Sequence, residues 1–245
     1  MLYILFIGFL LGLRHALDAD HLAAVASLAT RSRSTSESVR TGIAWGLGHT
    51  ITLFVVCAVV LAMDIGFPQH VAQVAEFVVG LMLIGLGIDV IWRAIKKRIH
   101  LHGHSHDDDS YHLHLHGHSN TEKHDASAHS HGHPKGLPTR ALMVGLMHGL
   151  AGSAALLLLA VTEQGSMAMA LVYIALFGVG SVLGMAVLSF TIALPLRASA
   201  RLTTLGFNTF NGAIGAGTVA VGIFVVFETA PAVAGLLTQG FIYNG

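Results

Sequence analysis

Long apolar segments alternate with short polar connections along the whole chain. Six segments stand out, near residues 2–28, 41–62, 71–95, 140–162, 167–195 and 208–228. Each can supply the roughly 20 helical residues that cross a bilayer. Pro195 is expected to end the fifth segment, and Pro231 to lie beyond the sixth. The pattern predicts an all-α membrane protein with six transmembrane helices.

Composition supports a membrane class and excludes several others. Hydrophobic residues make up 53% of the chain and charged residues 11%, whereas soluble domains carry roughly 25% charged residues. The formal net charge of zero leaves no broad basic face for nucleic acid. Cys57 is the only cysteine, which excludes an intramolecular disulfide and a thiolate metal cluster.

The basic residues mark one side of the predicted membrane protein. Apart from Arg14, every Lys and Arg lies in or beside the connections that follow the first, third and fifth spans. The positive-inside rule makes that side cytoplasmic. We therefore expect a protein of a bacterial-type plasma (inner) membrane with both termini outside.

The two halves of the chain resemble each other weakly. The matching stretches are GLRHA at 12–16 with GLMHG at 145–149, GLGH at 46–49 with GVGS at 178–181, and the Gly-rich stretches 80–87 and 212–217. Each half has three spans, so the second half must enter from the opposite side. This predicts two inverted three-helix repeats, an arrangement that places a substrate site near the midplane in many transporters. The predicted regions are 1–99, a connecting loop at 100–138, and 139–245.

The connecting loop is rich in histidine and nearly free of apolar residues. The candidate ligands are His100, His102, His104, His106, His112, His114, His116, His118, His129, His131 and His133. Such a composition cannot form a packed core and predicts disorder. It is typical of a metal-binding tract, although a solvated linker without function is the alternative. On the positive-inside assignment this loop is cytoplasmic.

An ionisable cluster interrupts the first apolar segment at residues 14–21, RHALDADH. One ionised side chain at mid-membrane costs about 2.5–3.5 kcal/mol on insertion scales, so such clusters are expected to be functional. Imidazole and carboxylate are ligands for nickel, cobalt and zinc. The alternative is a structural ion pair between Arg14 and an aspartate, with incidental histidines.

Helical geometry separates the members of this cluster. On a continuous helix His15, Asp18 and His21 share an arc of about 120°. Asp20 points away on such a helix. Three roles are open to Asp20. It could orient a ligating histidine, pair with Arg14, or become a ligand if the helix is locally unwound.

Two further histidines lie inside predicted spans, His49 and His148. Both are flanked by glycine, which lets a cation or another helix come close. Either one could instead be an interhelical hydrogen-bond donor. The predicted intramembrane metal site consists of His15, Asp18, Asp20, His21, His49 and His148.

The stretch RHALDADH resembles the signature of the nickel/cobalt transporter family, in which His-x4-Asp-His lies in a membrane helix and is required for metal uptake. That pattern falls on His15, Asp20 and His21. Residues 46–50, GLGHT, resemble the family's second motif. The length and six spans are most similar to shorter relatives, the urease-accessory nickel permeases. The extra N-terminal helix and second-half motifs of the longer members are not found here.

The resemblance implies a transporter of Ni²⁺, with Co²⁺ or Zn²⁺ as alternative cargo, that takes the ion up into the cytoplasm. Its expected partners are the metal ion, the lipid bilayer and cytoplasmic metallochaperones. The sequence contains neither a nucleotide-binding G-x4-G-K-[ST] motif nor H-E-x-x-H, so we do not expect an enzyme. The histidine-rich loop also resembles that of related efflux proteins. Metal export with capture by this loop, or a membrane metal sensor or metallochaperone, are the alternatives.

Overall fold

The computed structural model describes residues 2–63, 69–96, 100–105, 111–116, 138–151, 166–202 and 204–243. Within these residues the chain forms seven helices and one pair of strands. In chain order they are α1 (Leu2–His15), α2 (Ala19–Ala29), α3 (Thr35–Met63), α4 (Gln69–Lys96), β1 (His100–Ser105), β2 (Tyr111–His116), α5 (Thr139–Gly149), α6 (Met167–Leu202) and α7 (Thr204–Tyr243). Helices α3 and α4, and most of α6 and α7, are long and apolar enough to cross a membrane.

The first predicted span is two short helices rather than one. Helix α1 ends at His15, and α2 begins at Ala19 after a turn. Asp18 occupies the N-cap position of α2 with extended backbone angles, φ −61° and ψ 147°. Aspartate is among the residue types preferred at this position. The first predicted span, near 2–28, is therefore interrupted at its centre, as local unwinding of the helix would require.

The later spans differ from expectation at their ends. Helix α5 ends at Gly149, and the remainder of the fourth predicted span falls largely on residues 152–165, outside the described residues. Pro195 does not end the fifth span but lies inside α6, and Pro231 lies inside α7. Membrane helices tolerate proline because neighbouring groups and small local adjustments satisfy the backbone groups it frees.

Helices from the two halves of the chain pack against each other. Helix α1 packs on α6, α5 packs on α3, and α4 packs on α7. Glycines lie at all three contacts. A Cβ atom added to any of these glycines would lie within 3.0 Å of a backbone atom of the facing helix. The glycines are Gly12 and Gly180 between α1 and α6, Gly48 and Gly145 between α3 and α5, and Gly80, Gly87, Gly215 and Gly222 between α4 and α7. Small residues let membrane helices approach to backbone contact.

The bundle is apolar outside and polar at its centre. Large apolar side chains such as Trp92, Val187 and Phe224 are exposed on its surface. The buried polar side chains include His49 and His148, each with no accessible surface. The apolar surface suits a bundle surrounded by lipid.

An ion-pair network ties the end of α2 to α4. The Arg31 guanidinium donates to both carboxylate oxygens of Asp89 at 2.6 Å. Arg93 donates to Asp89 at 3.1 Å and to the Thr30 hydroxyl at 3.1 Å. The contacts fix the second half of the broken span against its neighbour.

Two described stretches of the histidine-rich loop pair as antiparallel strands. Strands β1 and β2 pair in a register that places His100 opposite His116, His102 opposite His114, and His104 opposite His112. The reason lies in the local sequence, because histidine recurs at every second position, the period of a strand. The other loop histidines lie outside the described residues.

Candidate metal site

The break between α1 and α2 creates the site. The amide of Asp18 donates to the His15 carbonyl at 3.1 Å and closes α1, while the amide of Leu22 donates to the Asp18 carbonyl at 2.8 Å and opens α2. Because the helix is interrupted here, the angles of a continuous helix no longer apply. Asp20, which would point away on a continuous helix, contacts His21 and His148 at this centre.

Asp18 orients His15. The Nδ1 atom of His15 lies 2.7 Å from an Asp18 carboxylate oxygen. An ionised carboxylate only accepts hydrogen bonds, so Nδ1 carries the proton and Nε2 is left with a free lone pair. That Nε2 atom is buried and has no hydrogen-bond partner among the described residues. The Asp18 side chain itself is 54% exposed.

Asp20 orients two histidines at once. One of its oxygens accepts from the Nδ1 atom and the backbone amide of His21, both at 2.9 Å. The other accepts from the Nε2 atom of His148 at 2.9 Å. By the same argument, the remaining nitrogens, His21 Nε2 and His148 Nδ1, hold free lone pairs. Both are buried and unpartnered among the described residues.

His49 brings a third imidazole from α3. Its ring centroid lies 5.3 Å from that of His15 and 5.1 Å from that of His21, and the rings of His15 and His21 are 4.3 Å apart. Both His49 nitrogens are buried without a partner among the described residues. Each buried, unsatisfied polar group costs about 1–3 kcal/mol, so several in one place indicate a ligand.

Two overlapping sets of donors can hold an ion. The first comprises His15, His21 and His49, and the second comprises Asp20, His21 and His148; within each set the ligand atoms lie within 4.8 Å of one another. In the first set, His15 and His21 each contact a carboxylate through the opposite ring nitrogen. This carboxylate–histidine arrangement is the one that orients metal-binding imidazoles.

The structure brings together all six residues of the predicted intramembrane site. Arg14 is exposed, and no ion pair of Arg14 is found in the part of the chain that the structure describes. The two aspartates that could have paired with it contact histidines instead. Of the loop ligands, only those on β1 and β2 belong to described elements.

Two residues near the site were not anticipated from the sequence. The Trp45 ring lies 5.3 Å from those of His21 and His148 and covers this side of the cluster. Ser181 is completely buried, with a hydroxyl unpartnered among the described residues. Trp45 was recognisable only as a neighbour of the GLGH stretch, and Ser181 only as the residue aligned with His49.

Comparison with known proteins agrees with this chemistry. The family described as NicO, "High-affinity nickel-transport protein", matches residues 1–237. A protein named "Urease accessory protein UreH" from Bacillus sp. (strain TB-90) is 34% identical over 204 residues, covering 82% of this chain and 81% of its own length. No solved structure matches the chain. The chain is therefore an integral membrane protein that belongs to the NicO family of high-affinity nickel-transport proteins.

Proposed function

We propose that this protein carries Ni²⁺ across the membrane into the cytoplasm, through the site formed by His15, His21 and His49. The observation that supports this most directly is the convergence of their buried, unpartnered ring nitrogens. Neutral imidazoles are good ligands for nickel. They suit Co²⁺ and Zn²⁺ as well, and these ions are the alternative cargo.

The second donor set gives the ion a way onward. His21 belongs to both sets, so an ion can exchange His15 and His49 for Asp20 and His148 without losing all its ligands. In that step Asp20 changes from orienting histidines to binding metal. Asp18, half-exposed beside His15, is the carboxylate that first attracts the arriving ion.

Two inverted repeats, residues 1–99 and 139–245, account for the helix packing. Gly12 of α1 packs on the backbone of Phe177 in α6, just as Gly145 of α5 packs on the backbone of Trp45 in α3. Between α4 and α7, Gly80 packs on Gly222 and Gly87 packs on Gly215. The relation between the two repeats maps the first of these pairs onto the second. This correspondence supports alternating access around a midplane site.

The distribution of basic residues supports a cytoplasmic position for the connection between α4 and α5 and external termini. With that orientation the membrane potential favours uptake. A dication that crosses fully gains about 4.6 kcal/mol per 100 mV, twice the value for a single charge.

The histidine-rich region 100–138 holds metal on the cytoplasmic side. Its support is the register of β1 and β2, which sets three pairs of histidines opposite each other. Cytoplasmic metallochaperones are the expected recipients of this metal.

The decisive experiment is accumulation of radioactive nickel at trace concentration in a bacterial host without nickel transporters of its own. Wild type should accumulate nickel above the empty host, and His15→Ala should abolish the difference. His70→Ala is the matched control, because His70 is an exposed histidine on α4 and should leave uptake unchanged. Equal accumulation in wild type and His15→Ala would contradict the proposed site.

Export is the second candidate, supported by the histidine-rich hairpin as a site that captures cytosolic metal. Accumulation below that of the empty host would establish it and reverse the proposed direction. Deletion of residues 100–133 tests the remaining alternative of a sensor. A permease should keep much of its flux, whereas a sensor should lose its response.

A further inference from the structure

The close contact of α6 with α1 favours a small residue at position 181, but it does not account for the buried hydroxyl of Ser181. This residue lies on α6 with no accessible surface, and its hydroxyl has no hydrogen-bond partner among the described residues. Helical serines and threonines commonly donate to the carbonyl one turn earlier. Thr191 of the same helix does so, donating to Val187 at 2.9 Å. The hydroxyl of Ser181 is thus unused where a local partner would normally satisfy it.

Ser181 lies where α6 passes α1 and α3, two of the three helices that carry the first donor set. A Cβ atom on Gly12 of α1 would lie 3.0 Å from the Ser181 amide nitrogen, and one on Gly46 of α3 would lie 3.0 Å from the Cα atom of Val182. His15 and His49 each follow these glycines by three residues, which is about one helical turn. The serine therefore lies about one turn N-terminal to each histidine, which is the direction in which helical side chains lean.

The repeated glycine contacts place Ser181 in a position equivalent to His49. A Cβ atom on Gly145 would lie 3.1 Å from the His49 amide nitrogen, nearly the distance between Gly12 and Ser181. His148 follows Gly145 by three residues, as His15 follows Gly12. Ser181 thus lies opposite His15 as His49 lies opposite His148. The ring centroids of His49 and His148 are 6.2 Å apart.

We propose that the Ser181 hydroxyl oxygen is a fourth ligand of the transported ion, beside the imidazoles of His15, His21 and His49. This inference rests on the proposed function. A neutral hydroxyl is a weaker and harder donor than imidazole. It completes the coordination sphere while leaving the ion easy to release, as a transported ion requires.

Binding of Co²⁺ to the purified full-length protein tests this directly, because a thiolate bound to cobalt gives an intense charge-transfer absorption. Ser181→Cys should produce this band, since it puts sulfur where the hydroxyl oxygen was. Ser189→Cys is the matched control, a buried serine two turns further along α6, and should produce none. The native Cys57, in a separate apolar cluster, sets the wild-type baseline.

A second variant measures the contribution of the oxygen. Ser181→Ala should weaken Ni²⁺ binding about threefold to tenfold, the range expected for one neutral donor. A silent Ser181→Cys spectrum, or wild-type affinity in Ser181→Ala, would overturn the assignment. The proposed function has a separate test, because it is wrong if His15→Ala leaves the Co²⁺ absorption spectrum unchanged.

Discussion

Replacing Asp20 with asparagine separates the roles of the two aspartates. Asp20 accepts three hydrogen bonds, from the amide and Nδ1 of His21 and from Nε2 of His148, all at 2.9 Å. Asparagine keeps the shape but loses the charge, and one of its two terminal atoms becomes a donor. At least one histidine then loses its acceptor and can turn or change tautomer.

The size of the effect follows from the number and burial of these bonds. Losing the carboxylate partner of a metal-binding histidine reduces metal affinity about 10–100-fold, so we expect Asp20→Asn to fall in that range. Asp18→Asn removes a single bond to His15 from a half-exposed carboxylate. Solvent screens that interaction, and we expect a smaller loss of affinity.

Equilibrium dialysis of the purified protein against radioactive nickel at neutral pH measures both variants. Asp89→Asn is the control, because it removes a membrane-helix carboxylate that contacts Arg31 and Arg93 instead of the histidines. Its affinity should match that of wild type. A larger loss in Asp18→Asn than in Asp20→Asn, or equal affinity in all variants, would refute the reasoning.

Three further predictions concern packing and the loop. Gly145→Val should destabilise the fold by about 1–3 kcal/mol through overpacking, whereas Gly85→Val, with nothing within 4 Å of its Cβ position, should not; thermal unfolding in detergent compares them. Exchanging Leu101 and His102 keeps the composition but moves one histidine out of the alternating pattern. Nickel binding by the loop, measured in a His15→Ala background, should then weaken. Unchanged binding would mean that only the number of histidines matters. Loop binding in the same background should also fall below about pH 6, because protons compete with metal for free imidazole, whose ordinary pKa is about 6.5.

The candidate intramembrane ligands could be named from the sequence because charge and imidazole are costly in an apolar span. His15, Asp20 and His21 stand out for that reason, and His148 stands out through the repeated Gly-Leu-x-His pattern. Six apolar segments likewise predict a membrane bundle, and four helices of the structure are long enough to span.

The relative positions of these ligands were not identifiable. A sequence pattern assumes a regular helix, and the turn before Ala19 interrupts that regularity. Asp20 therefore faces the site although a continuous helix would turn it away. Ser181 escaped notice because serine is common in membrane helices, and only its lack of a partner marks it out.

The interrupted helices also give the site a charge that no side chain supplies. Helix α1 ends at His15, and α5 ends at Gly149 with His148 in its last turn. Peptide dipoles add along a helix to the equivalent of about half a negative charge at its C-terminal end. The two C-terminal ends supply about one negative charge and the N-terminal end of α2, at Ala19, about half a positive one. The described backbone therefore offsets roughly half a unit of a dication's charge, and because backbone does not titrate, this attraction persists at any pH at which the bundle is folded.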